Sequence, residues 1–243
     1  MHALSAAQTL DLHEQGAGLH RIDRALLLLH AAEAGPDPEA FARLPLGMRD
    51  ALVLRVRRLT LGERVAAEAR CPSCGERLEF ELTCHELLAR AVAPPPRWSI
   101  EFDGWRVALR PLDSVDAAAA ARAVDADAAR AVLLDRCVTA AERDGTPVSA
   151  AALPGPVQVA IASSLAEQDP GAEWLLDLDC PACGAHWQSP FEVDDFVWRE
   201  LATHADRLLL EVHALARAYG WSEAEILALD PRRRAAYLAL VAA

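Results

Sequence analysis

Cys71-Pro72-Ser73-Cys74-Gly75 and Cys180-Pro181-Ala182-Cys183-Gly184 are the two stretches whose reading decides the fold. Each is a Cys-x-x-Cys-Gly turn set between segments that alternate apolar and polar residues. Behind the first turn Leu78, Phe80 and Leu82 alternate with Glu79 and Glu81, and Glu63 to Arg70 alternates roughly ahead of it. Around the second, Trp174, Leu176 and Leu178 lead in, and Trp187, Ser189 and Phe191 interleave with His186, Gln188 and Pro190. A period of two between turn residues marks half-buried strands, so each stretch predicts a β-hairpin with cysteines at its tip. Both then run through Phe-Glu (Phe80-Glu81, Phe191-Glu192) into a helical pattern, which reads as an internal repeat of strand, turn, strand and helix.

Such a turn is a zinc knuckle: it points both sulfurs inward, and its glycine permits the bend that brings backbone amides toward the thiolates. One knuckle supplies two ligands, whereas a closed structural site takes four at Zn–S distances of about 2.3 Å. Cys71, Cys74, Cys180 and Cys183 are therefore predicted to meet around one Zn2+. The gap of roughly 100 residues is no obstacle, because loop-closure cost rises only slowly with length. Four sulfurs leave no open position for water or substrate, so the ion is expected to be structural. Two other readings stand beside this one. Thioredoxin-like redox pairs sit at a helix N-terminus, which lowers the thiol pKa, whereas strands flank both pairs here; turn cysteines without metal are the second. Cys84 and His85 read as packing at a helix start, and Cys137 as a small apolar residue within a helix. For His186, near the second knuckle, a place behind the sulfurs or as a replacement ligand is the lesser alternative and not the leading reading.

Outward from the cysteines the pattern is helical, giving an α+β, mostly helical fold class. Two hairpin knuckles would form a zinc-ribbon-like module, joined to a C-terminal helical subdomain. The divisions read from the chain are an N-terminal helical segment (1–62), the first knuckle with a second hairpin (63–112), an alanine-rich helical middle (113–171), the second knuckle (172–193) and the C-terminal subdomain (194–243). In the first, Ile22, Leu26 and Leu29 share a helix face that ends at Gly35-Pro36-Asp37-Pro38, and Leu52, Val53 and Val56 line a second helix. Thr83 and Glu86 make a capping pair. Asp103-Gly104 between Ser99–Phe102 and Trp105–Leu109 is a strong hairpin turn. Ser114 to about Arg143 reads as one long helix closed by Asp144-Gly145-Thr146-Pro147, with a further helix over Val157–Glu167. In the last fifty residues a helix from about Asp195 to Tyr219 lines up Leu201, Leu208, Val212, Leu215 and Tyr219 and ends at Gly220. Ser222 and Glu225 cap the next helix, and Asp230-Pro231 opens the last. Tyr219, Trp221 and Tyr237 concentrate scarce aromatics there and are candidate partner-binding residues.

The net charge of −12 opposes nucleic acid, which clustered Lys and Arg would have to hold. The short basic runs at Arg55, Arg57 and Arg58 and at Arg232, Arg233 and Arg234 read as solvated helix faces. No apolar run approaches the ~20 residues that cross a bilayer, and no signal peptide is visible, so a protein soluble and intracellular at synthesis is expected. In that compartment cysteines read as metal ligands before disulfides. There is no phosphate-cradling glycine loop, no G-x-S-x-G and no H-E-x-x-H, so no enzyme is expected. Asp194 and Asp195 are accounted for as acids at a helix start.

The knuckles occur together with Leu44-Pro45-Leu46-Gly47-Met48-Arg49-Asp50, Trp198-Arg199-Glu200-Leu201, Leu209-Leu210-Glu211-Val212-His213-Ala214-Leu215-Ala216 and the run from Tyr219 to Leu229. With Pro231-Arg232-Arg233-Arg234-Ala235-Ala236-Tyr237-Leu238 added, the chain resembles the T-even-type phage baseplate protein family, the baseplate hub assembly chaperones. That resemblance implies an assembly role in a contractile tail or phage-tail-like injection system, with hub or wedge proteins as partners. It carries no catalytic residues and no metal assignment; the zinc expectation rests on spacing alone. Two other functions fit a double knuckle: a zinc-ribbon adaptor for nucleic acid or transcription machinery, and a Cys-x-x-Cys thiol-disulfide protein.

Overall fold

The computed structural model describes residues 1–33 and 38–241, so the breaker expected at Gly35 to Asp37 lies outside the described residues. The chain opens with α1 (Ala6–Gly16), α2 (Arg21–Ala32), a short α3 (Pro38–Ala42) and α4 (Leu46–Leu61). The first hairpin follows, β1 (Arg64–Arg70) and β2 (Arg77–Thr83), and then α5 (Cys84–Leu88). After β3 (Trp98–Phe102) and β4 (Trp105–Leu109) come α6 (Ser114–Ala120) and α7 (Ala126–Cys137). Next are β5 (Val138–Arg143), β6 (Thr146–Pro147) and α8 (Gly155–Gln168). The second hairpin is β7 (Leu175–Asp179) and β8 (His186–Pro190), leading into the 27-residue α9 (Val193–Tyr219), α10 (Glu223–Leu227) and α11 (Pro231–Val241). The fold is α+β, with helices and small antiparallel sheets, and no helix among the described residues is long and apolar enough to cross a membrane.

Among the described residues two large cores divide the molecule, and a small third cluster of Leu10, Ala205 and Leu208 packs α1 on α9. One gathers Leu28, Leu29, Val53, Leu54, Val56, Val65, Trp174, Phe191 and Val197, so α2, α4 and α9 and the bases of both hairpins share it. Cys84 is fully buried in this core, as expected of a packing residue. The other gathers Trp105, Val107, Leu109, Leu134, Cys137, Ala141, Val157 and Ile161, with residues from β3, β4, β5, α7, α8 and the loops that join them. The second set is thus a module inserted between the two hairpins, with an apolar interior of its own.

The expected helix from Ser114 to Arg143 is not continuous. Asp113 caps α6 in a capping box with Asp116, Asp125 caps α7 by accepting from the Ala128 amide, and residues 138–143 form a strand paired to β4. Val138 and Thr139 disfavour helix because their branched side chains crowd the preceding turn, and Val107 opposite Ala141 gives the strand a buried face. Asp144-Gly145 is then a hairpin turn to β6. Its backbone repeats that of Asp103-Gly104: φ is 47° and 77° in one pair, 49° and 82° in the other. Positive φ at both positions is the two-residue turn that matches strand twist.

On α9, Leu201, Leu208 and Leu215 are buried as expected, together with Val197, Trp198 and Ala205, while Tyr219 is exposed. Gly220 ends the helix in the left-handed region at φ 72°, and the Thr83–Glu86 and Ser222–Glu225 capping boxes both form.

Candidate metal centre

The two cysteine turns have the same backbone. In the first, the Gly75 amide donates to Cys71 carbonyl and the Cys71 amide to Glu76 carbonyl, each at 2.9 Å. In the second, Gly184 donates to Cys180 and Cys180 to Ala185 at the same distance. Gly75 and Gly184 carry φ of 76° and 72°, a conformation that a side chain would strain. Each turn closes a two-stranded ladder, Arg70 opposite Arg77 and Asp179 opposite His186. Their tips meet. Cys71 Sγ lies 3.7 Å from Cys183 Sγ, Cys74 Sγ lies 3.6 Å from Cys180 Sγ, and all four sulfurs fall within 4.8 Å of one another.

These distances fit a metal and exclude disulfides: an S–S bond is about 2.05 Å, whereas four sulfurs around a tetrahedral Zn2+ stand about 3.8 Å apart. Both of these close approaches run between the knuckles, which suits a clamp that joins the two hairpins. Burial opposes ionisation of Cys71, but the amides of Cys74 and Ser73 and the thiols of Cys180 and Cys183 hold its pKa down to about 6. At Cys74 the Glu76 amide favours the thiolate, yet the neighbouring sulfurs, Cys183 foremost, and burial push the thiol up to about 12. Packed thiols without a cation cannot all ionise together, since each thiolate raises the cost of the next; a bound cation removes that conflict. Cys71 and Cys180 are buried, while Cys74 and Cys183 face solvent. His186 bonds Asp179 at 3.0 Å and is not among the clustered ligand atoms.

A family model described as T4 bacteriophage base plate protein matches residues 27–198, well over half of the chain. The chain belongs to the T4 bacteriophage base plate protein family. The match takes in both knuckles and the inserted module between them; the tail motifs beyond Trp198 lie outside it. No curated protein and no solved structure matches the chain.

Inside that baseplate-family region the sequence motifs turn out to hold the body and the inserted module together. Leu46 amide donates to Leu112 carbonyl, and Gly47 amide to Asp169 Oδ2 at 3.1 Å. A Cβ on Gly47 would run into the Asp169 carboxylate and stand 2.7 Å from the Gly171 backbone, so only glycine fits this crossing. Arg49, 5% exposed, bonds Asp50 through Nε at 2.7 Å, Ser114 at 3.4 Å and Asp194 at 3.5 Å. Burial, only partly offset by Arg49, raises the Asp50 pKa from 3.8 to about 6. Asp194 is therefore more than an acid at a helix start: it is buried and paired with Arg49 and Arg21.

Arg57 also departs from its expected place on a solvated face. It is 3% exposed and grips Glu200 with two bonds of 2.8 and 2.7 Å while donating to Gly62 carbonyl at 2.6 Å. Arg234 is likewise buried, against Glu211 at 2.7 Å. Nothing local in the sequence marks these pairs, since the partners lie 143 and 23 residues apart.

Tyr219, Trp221 and Tyr237 do come together. Tyr219 stacks on Trp221 at 4.7 Å between centroids, and Tyr237 meets both edge-on at 5.6 and 4.9 Å. The rings cover one another, which fixes α11 to the end of α9.

Proposed function

We propose that this protein is a non-catalytic assembly factor or minor structural component of the baseplate hub of a contractile tail. In this reading Cys71, Cys74, Cys180 and Cys183 hold one structural Zn2+, which joins the two hairpins at their tips. The carrying observation is the sulfur cluster lying within a baseplate-family match. Soft thiolates in a tetrahedral set select zinc or iron–sulfur chemistry over calcium or magnesium, and a single closed set of four leaves nothing open for catalysis. Hub or wedge proteins are the partners, met first in the bacterial cytoplasm and then in the particle. The aromatic end of α9 and α11 is a second contact surface, with Tyr219 39% exposed.

The burial of Arg57 and Arg234 removes one cation from each basic run, which weighs against the nucleic-acid adaptor. Co-purification with neighbouring hub and wedge proteins, followed by mass spectrometry of purified particles and lysate, tests the role. Recovery in a hub complex is expected; normal particle assembly in its absence, with no baseplate protein recovered, overturns it. Elemental analysis of the purified chain is expected to return one zinc per molecule.

A further inference from the structure

Between the body and the inserted module lies an open cleft of about 490 Å³. Its module wall is small and apolar, formed by Ala117, Ala120, Ala121 and Ala129. Its body wall carries two cations, Arg21 and Arg49, against four carboxylates: Asp50, Glu173, Glu192 and Asp194. Both cations are already committed, Arg49 to Asp50 and Asp194 and Arg21 to Glu192 and Asp194. Glu173 is exposed and makes no ion pair among the described residues. The wall therefore keeps an excess of negative charge. Trp174, 3% exposed, belongs to the same wall, and its indole Nε1–H has no hydrogen-bond partner. Buried indole donors are normally satisfied.

We propose that this cleft is a docking site for a basic segment of a partner polypeptide. The reading rests on the assembly role argued above and names the chemistry of the partner that role requires. The stems of Lys or Arg side chains are apolar and would lie along the alanine wall, with their charged heads at Glu173 and Glu192. A backbone carbonyl of the same segment would accept from Trp174 once the wall shifts to open its Nε1–H, which is sealed from solvent in the free chain. The volume falls within the range of sites that take a small ligand or an anchoring side chain cluster.

The test uses the full chain loaded with zinc, 15N-labelled, and a blocked tetralysine peptide, with tetraglutamate as the comparison. The Trp174 indole resonance, assigned by Trp174→Phe, is expected to move with tetralysine and to stay with tetraglutamate. Ala121→Trp, which fills the cleft from an exposed position, and the pair Glu173→Lys with Glu192→Lys are each expected to weaken the peptide at least tenfold. The same charge reversal at Glu14 and Glu223, away from the cleft, is expected to change it less than threefold. An unmoved resonance, or equal losses from the two reversals, overturns the site; if one variant misfolds, the other still decides. Baseplate association separates this from the parent reading. Wild type and Ala121→Trp both joining a hub complex would reject the cleft and keep the function. Wild type joining none would reject the function, and the peptide result then decides the cleft by itself.

Discussion

Strand β4 of the inserted module buries Trp105, Val107 and Leu109 on one face, whereas β2, β7 and β8 bury no side chain completely. The module closes four strands over α7 and α8 around an apolar interior. The hairpins are two separate two-stranded ribbons, with no ladder between them. A two-stranded ribbon is marginal in water, and here the bases of the ribbons, with Val65, Leu82 and Leu176, reach the body core while the cysteine tips are not part of it. Arg90 donating to Leu175 carbonyl at 3.1 Å is a polar link nearer their bases. On the proposed zinc reading, one chain stabilises small β structures in two ways, by burial in the module and by ligation at the four clustered cysteines. The difference predicts that the ribbons respond to metal removal and the module does not.

The largest effect follows from that contrast. Removing zinc with a chelator, or the substitution Cys180→Ser, is expected to remove a stabilisation on the order of 10 kcal/mol from the ribbons. Amide exchange should then lose protection over residues 64–83 and 175–190, while residues 105–109 and 157–165 keep theirs. Uniform protection before and after chelation would break the comparison, because the ribbons would then need no clamp.

Next in size is the ion pair that joins α4 to α9. Arg57→Ala leaves Glu200, whose side chain is 26% exposed, without the guanidinium that holds it and opens a gap beside Cys84 and the Gly62 carbonyl. Breaking a buried pair from one side costs about 3–5 kcal/mol. Denaturant unfolding should show that loss, and Arg57→Met should recover part of it by refilling the space. A loss below about 1 kcal/mol would mean that the pair behaves as a surface bridge.

Gly47→Ala probes the junction between the two regions. The added methyl meets Asp169 and the backbone of Gly171, so body and module must separate locally. Overpacking of this kind costs about 1–3 kcal/mol. The expected signature is weaker coupling, with the module melting ahead of the body in a calorimetric scan. A single unchanged transition would show that the crossing tolerates the methyl.

How far the sequence could carry this picture depends on the range of each interaction. The knuckles were legible because ligand spacing, the αL glycine and strand alternation all lie within a dozen residues. The capping boxes at Thr83 and Ser222 were legible for the same reason. Asp-Gly was read correctly at 103–104 and as a helix stop at 144–145, because an alanine-rich approach outweighed the turn signal until β4 supplied a pairing partner. Arg57 and Asp194 looked like surface charges, since nothing local announces a partner on another helix. The cluster of four sulfurs spans 106 to 112 residues, and it was legible only because each half carries its own local mark.

The smallest expected effect concerns pH. Asp50 has its folded pKa raised from 3.8 to about 6, chiefly by burial, with Asp194 adding to the rise and Arg49 opposing it. A raised folded pKa means that the native state binds a proton the unfolded chain has released. Its contribution is therefore complete below pH 3.8 and is lost as pH climbs through 6. Asp50→Asn removes that titration while keeping the shape. The stability of the native chain relative to the Asp50→Asn variant should fall by about 1 kcal/mol between roughly pH 5 and 7.5 and stay level above. Both proteins carry the same sulfur cluster, so loss of any metal held there at low pH cancels in the difference. A gap that widens in favour of the native chain as pH rises would show that Arg49 holds Asp50 ionised, and the junction would then be a plain salt bridge rather than a carboxyl that changes charge near neutrality.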